Sequence, residues 1–149
     1  MNIQLRSASE APMDLLLLAD PSKEMIEKYL ESGQCYTLEV NNETVGVYVL
    51  MPVSAGVIEI MNIAVAEKEQ GKGLGKQLLA HAIEQARKQG FKQVQIGTGN
   101  SSIGQLALYQ KCGFRITKIE RGFFTDNYEE EIIENGIICR DMLRLVMEL

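Results

Sequence analysis

Residues 70–76 read Gln-Gly-Lys-Gly-Leu-Gly-Lys, a glycine at every second position beside two lysines. Each such glycine costs about 0.5–1 kcal/mol of backbone entropy relative to alanine, so a turn serving shape alone rarely needs all of them. The stretch follows an apolar run, residues 57–65 (Val-Ile-Glu-Ile-Met-Asn-Ile-Ala-Val), and precedes a helical apolar repeat. Backbone N–H groups gathered at a helix N-terminus bind phosphate, and glycines let its oxygens approach without meeting a Cβ. Lys72 and Lys76 add positive charge. Such a cradle suits a pyrophosphate that stays intact, since nothing in the stretch provides for magnesium or phosphoryl transfer. A P-loop would need Gly where Gln70 stands and Ser or Thr where Gln77 stands. A dinucleotide fingerprint would need a third glycine at Lys76 and an acidic ribose ligand further on. A glycine-rich helix start without a ligand is the purely structural alternative.

Glu59 is the charged residue of the apolar run. Burial raises a carboxyl pKa towards that of a useful general base, and a buried ionised group without a task is expensive. The alternative is that Glu59 faces a wet edge or pairs with a lysine. His81, the single histidine, falls off the apolar stripe of the following helix and reads as a surface residue. Cys35, Cys112 and Cys139 are widely spaced without a CxxC pair, which indicates neither a disulfide framework nor a metal site. They read as small buried hydrophobes, and Cys112 ends a helix, where no dipole lowers its pKa.

The elements that must carry these residues follow from periodicity. Residues 2–6 alternate as a first strand, and residues 13–31 carry helical spacing broken at Asp20-Pro21, which predicts two short helices closed by Gly33. Residues 35–40 and 44–53 are β-rich and joined by Asn-Asn-Glu, a hairpin connection. The run 57–65 is apolar on both faces, the mark of a strand covered on both sides. Residues 73–88 form an amphipathic helix ended by Gly90, and residues 91–97 a further strand. Ser102 and Gln105 have capping-box spacing before a short helix stopped by Gly113. Residues 114–121 and 138–149 supply two last strands, joined by a polar, strongly acidic segment from Phe123 to Gly136. The expected fold is α/β by motif and α+β by element order: a mixed sheet of about seven strands with about four helices. At 149 residues, with 46% apolar and 23% charged composition, the chain fits one domain, residues 1–149. No apolar run approaches a membrane span and the N-terminus lacks a signal-peptide pattern, so a soluble, cytoplasmic protein is expected. The net charge of −5 argues against nucleic acid and leaves room for a cationic substrate.

The strand Val-Ile-Glu-Ile-Met-Asn-Ile-Ala-Val, the loop in the form Gln-x-x-Gly-x-Gly, the helix after it and Ala-Leu-Tyr-Gln-Lys-Cys-Gly-Phe at 107–114 together resemble the GCN5-related N-acetyltransferases, the GNAT superfamily. The resemblance is close over residues 57–114, and the order of elements is compatible with it over nearly the whole chain. It implies acetyl-CoA as cosubstrate, bound where strands 4 and 5 splay apart in a V. The pantetheine arm would pair with the backbone of Asn62, Ile63, Ala64 and Val65. The pyrophosphate would take Gln70, Gly71, Lys72, Gly73, Leu74, Gly75 and Lys76. Asn100 matches a position that often contacts the cofactor arm. An N–H near Ile63 would polarise the thioester carbonyl, which needs no side chain. Glu59 falls where histone-acetylating members carry their catalytic glutamate. Tyr109 corresponds to the hydroxyl that many members use as general acid to the leaving thiolate; alternatively it is an aromatic helix residue packed under the sheet.

The implied reaction is transfer of an acetyl group to a primary amine of a small molecule or peptide, by direct attack on the thioester and without a metal. A non-catalytic acyl-CoA binding or sensing domain is the alternative, disfavoured because Glu59 and Tyr109 are both present. Asp126, Glu129, Glu130, Glu131 and Glu134 lie where relatives shape the acceptor side, so they either favour a cationic acceptor or form a solvated loop. By analogy with some relatives, the last strand could also form a homodimer interface.

Overall fold

The computed structural model describes residues 2–149. The chain divides into two compact units, one ending at Lys92 and the other spanning Gln93–Leu149.

The first unit comprises β1 (Asn2–Arg6), α1 (Met13–Ala19), α2 (Lys23–Ser32), β2 (Gln34–Val40), β3 (Glu43–Ser54), β4 (Val57–Val65) and α3 (Leu74–Lys88). The expected helix break falls at Asp20-Pro21. There the Asp20 carboxylate accepts the Ser22 N–H at 3.0 Å, and the Ser22 hydroxyl caps α2 by accepting the Met25 N–H at 3.2 Å. The β2–β3 hairpin turns on Asn41 and Asn42, with φ of 52° and 63°, a left-handed pair that asparagine tolerates better than most residues. The four strands are antiparallel in the order β1, β2, β3, β4.

Alternation along β3 sends its side chains to two layers. Val47 and Val49 join a core with Leu15, Leu16, Ile26, Tyr29 and Leu30 of α1 and α2, and Met51 packs against it. Gly46 and Tyr48 face α3, where a methyl on Gly46 would stand 2.9 Å from Leu78 Cδ1. Both faces of the unit are thus covered, as the apolar run predicts. Strand β4 is not regular, however. Its partners step from Val49↔Asn62 to Leu50↔Ile60, which leaves Met61 as the extra residue of a β-bulge. The bulge reverses the face of every residue before it. Glu59 opposes Met51 and Asn62 opposes Val49, so both lie on the α1/α2 face, whereas a strict period of two would separate them.

His81 departs from its surface reading. Its Nδ1 lies 2.7 Å from the hydroxyl of the fully buried Tyr48, whose ring stacks on Tyr36 at 4.9 Å. It falls off the leucine stripe, but two tyrosines on the strand face are long enough to reach the helix flank.

The second unit comprises β5 (Gln93–Gly99), α4 (Ile103–Lys111), β6 (Arg115–Glu120), α5 (Phe123–Asn127), β7 (Ile133–Glu134), β8 (Ile137–Ile138) and β9 (Met142–Glu148). Strand β9 pairs antiparallel with both β5 and β6, and β7 with β8 forms a small separate hairpin. Three expectations are corrected here. The acidic segment is not all loop: α5 is capped by Gly122 (φ 76°) and held by Phe123, Phe124 and Tyr128, whose neighbouring rings lie 5.2 and 5.4 Å apart. With it the described residues hold five α-helices, in keeping with the expected number of about four. The last strand starts at Met142, because residues 137–138 pair into the hairpin instead. The capping box at Ser102 does not form: its hydroxyl accepts no cap hydrogen bond and is oriented towards Glu134 Oε1, to which it donates at 2.9 Å. Cys35 and Cys139 are buried, and Cys112 is half-buried.

Candidate functional site

The loop between β4 and α3 is built from the strand end outward. Gln70 Nε2 donates to the Val65 carbonyl at 3.0 Å and folds the loop back onto the strand it leaves. Gly71 and Gly73 take φ of 82° and 80°, and a Cβ added to either would meet nothing within 4 Å. Gly73 is the N-cap of α3, and Gly75 lies within the first turn. Among the described residues, no acceptor takes the backbone N–H of any residue from 71 to 76. Six consecutive donors at the start of a 15-residue helix, with open space around two left-handed glycines, fit a diphosphate. Lys72 pairs with Glu69 at 2.8 Å, and both Lys72 and Lys76 are exposed beside the loop.

Upstream on β4, Asn62 is 4% exposed. Its Nδ2 donates to the Leu16 carbonyl at 3.0 Å and to the Tyr29 hydroxyl at 2.9 Å, and that hydroxyl donates to Asp20 Oδ2 at 3.2 Å. Turning the amide over would set two carbonyl oxygens against each other at Leu16, which fixes its orientation. Asn62 Oδ1 is buried and has no hydrogen-bond partner among the described residues, a situation that costs about 1–3 kcal/mol. Glu59, 7% exposed, lies on the same face by virtue of the bulge. Burial pushes the Tyr29 phenol well above its ordinary range. This network was not legible in the sequence. The helical spacing of residues 13–31 does not single out Tyr29, and a strict period of two would put residues 59 and 62 on opposite faces.

The second unit carries the other predicted residues. Tyr109 on α4 is 4% exposed, with its ring 6.3 Å from that of Phe114. Burial pushes its phenol well above the usual tyrosine range, so the proton stays on oxygen at neutral pH. Its hydroxyl has no partner among the described residues. Asn100 is already engaged. Its Oδ1 accepts the N–H groups of Arg140 and Asp141 at 2.8 and 3.0 Å, and its Nδ2 donates to the Ile138 carbonyl at 3.1 Å, which leaves one amide hydrogen for a ligand. Of the acidic segment, Glu134 accepts from the hydroxyls of Ser101 and Ser102, and Asp126, Glu129, Glu130 and Glu131 are exposed.

The predicted residues therefore form two groups. The first unit holds Glu59, residues 62–65 and residues 70–76; the second holds Asn100 and Tyr109. Among the described residues, no helix is long and apolar enough to cross a membrane.

Known proteins share this arrangement of elements. The uncharacterized N-acetyltransferase YvbK of Bacillus subtilis is 58% identical over 136 residues, covering 91% of this chain and 88% of that protein. The structure of the IAA acetyltransferase from Bacillus cereus superposes with a TM-score of 0.98 at 54% identity, over 99% of each chain. A GNAT family acetyltransferase from Elizabethkingia anophelis, solved with acetyl-CoA bound, superposes with a TM-score of 0.97 at 56% identity, over 99% of this chain and 97% of that one. The sequence profile of the Acetyltransferase (GNAT) family matches residues 5–114. The α/β fold expected from the sequence is that of these enzymes, and with it goes acetyl-CoA-dependent N-acetyl transfer. The chain belongs to the GNAT family of acetyltransferases.

Proposed function

We propose that this chain acetylates a primary amine, cationic in its resting form, by direct attack on the thioester, and that both units serve one catalytic domain, residues 1–149. The observation that supports this most is the run of unbonded N–H groups from residue 71 to residue 76, which suits a diphosphate. Acetyl-CoA supplies the activated acyl group. Residues 70–76 hold its diphosphate, and the backbone of Asn62, Ile63, Ala64 and Val65 pairs with its pantetheine arm. The Ile63 N–H polarises the thioester carbonyl. Glu59 takes a proton from the ammonium, leaving a free amine to attack. Tyr109, kept protonated by burial, gives its proton to the departing thiolate. Asn100 holds residues 138–141 through its side chain and offers its remaining amide hydrogen to the cofactor arm. The location is cytoplasmic, no metal takes part, and the chain forms a homodimer, though not through an edge of β9, which is paired on both sides.

The test is thiol release from acetyl-CoA by the purified chain against a panel of amines, with and without a chelator. Chelator-insensitive release with an acetylated amine product is expected. Binding of acetyl-CoA without product from any amine would instead favour the sensing domain.

A further inference from the structure

A carbonyl oxygen buried without a donor is an expense that folded chains avoid, and Asn62 Oδ1 is in that position. The oxygen is held there deliberately. Both Nδ2 hydrogens are used, one on Leu16 O and one on the Tyr29 hydroxyl, so the amide cannot rotate to relieve it. The face it occupies holds Glu59 as well, since the bulge at Met61 places 59 and 62 together. These residues oppose Met51 and Val49, two positions apart on β3, so their Cα atoms are about 7 Å apart.

We propose that Asn62 Oδ1 is the acceptor that receives an N–H of the incoming primary ammonium, making Asn62 a specificity-determining residue of the transfer reaction. The inference rests on the proposed amine acetylation and adds to it the group that recognises the amine. An acceptor-only atom selects for N–H donors, which a primary ammonium has and a quaternary one lacks. Glu59, on the same face, is then placed to take a second N–H proton while the first stays on Asn62. Helix α1 packs on this face, with its Leu16 carbonyl held by the amide's Nδ2.

Two measurements decide the matter. The isosteric substitution Asn62→Leu is assayed with acetyl-CoA and, in turn, n-butylamine, spermidine and alanine methylamide. The amine KM should rise at least tenfold for each amine that the parent protein acetylates, and by a larger factor than the acetyl-CoA KM, since the pantetheine arm is assigned to the backbone of Asn62 and the amine to its side chain. An unchanged amine KM overturns the inference but leaves the acetyltransferase reading intact, and a matched rise in both KM values reduces Asn62 to a structural residue. Should the variant fail to fold, the unmodified protein saturated with CoA is titrated by NMR with n-butylammonium and, separately, n-butyltrimethylammonium. A saturating shift of the Asn62 side-chain carbonyl with the first and not the second is expected. Equal shifts, or none, overturn the inference, and this readout stands even if no amine is turned over.

Discussion

Replacing Gly73 with alanine separates what the loop does for the fold from what it does for the ligand. At φ 80° an L-residue is disfavoured by about 1–2 kcal/mol, and since a Cβ there meets nothing within 4 Å, no clash adds to this. A loss of that size lowers Tm by about 2–8 °C in a chain of this length. The effect on binding is larger. Gly73 caps α3 in the middle of the unbonded N–H run, so a φ relaxing towards negative values turns at least one donor away from the diphosphate. A hydrogen bond to a charged group contributes about 1.5–3 kcal/mol, so losing one weakens binding about 10- to 150-fold. The assay is kcat/KM with acetyl-CoA and with S-acetylpantetheine, which has the same thioester and no diphosphate. Acetyl-CoA should lose its advantage by that factor while S-acetylpantetheine is turned over as before. An equal loss for both substrates, or no loss for either, would refute the assignment of the diphosphate to this loop.

Three further outcomes are expected. Tyr109→Phe removes only a hydroxyl from a packed ring, so Tm should hold within a few degrees while kcat falls about 10²- to 10⁴-fold with acetyl-CoA affinity retained; full turnover removes the general acid. Glu59→Gln should abolish the acidic limb of the pH–rate profile, and an unaltered profile would exclude it as the base. Burial, and secondarily Lys88, hold the His81 imidazole below its ordinary value. As pH drops below about 6.5 the unfolded chain takes up this proton before the folded one, so stability present above that pH is lost on acidification. The fall in Tm between pH 7.5 and pH 5 should be smaller in His81→Gln, and identical slopes would show that His81 is not responsible.

Much of the fold was legible because its elements announce themselves by period. The leucines of α3, the Asp20-Pro21 break and the double asparagine of the β2–β3 turn each have one physical meaning. The loop was legible for the same reason, since alternate glycines have few uses other than left-handed backbone and close approach, and Gly71 and Gly73 adopt the former. What escaped depends on tertiary contact. The bulge at Met61 leaves no compositional trace, yet it decides which face Glu59 occupies. Helix α5 is five residues held by ring contacts, too short for periodicity to register. Ser102 has capping spacing, but its hydroxyl is turned to the distant Glu134, to which it donates, and makes no cap hydrogen bond. His81 reads as a surface residue until Tyr48 and Tyr36 are seen beneath it.

The claim at the centre of the account is that the free amides following β4 grip the diphosphate of the cosubstrate. An NMR titration of the ¹⁵N-labelled protein with CoA tests it directly, with the amide resonances of residues 71–76 as the readout. The account predicts that these signals move downfield and saturate together with binding. Saturable CoA binding that leaves those resonances in place would contradict it.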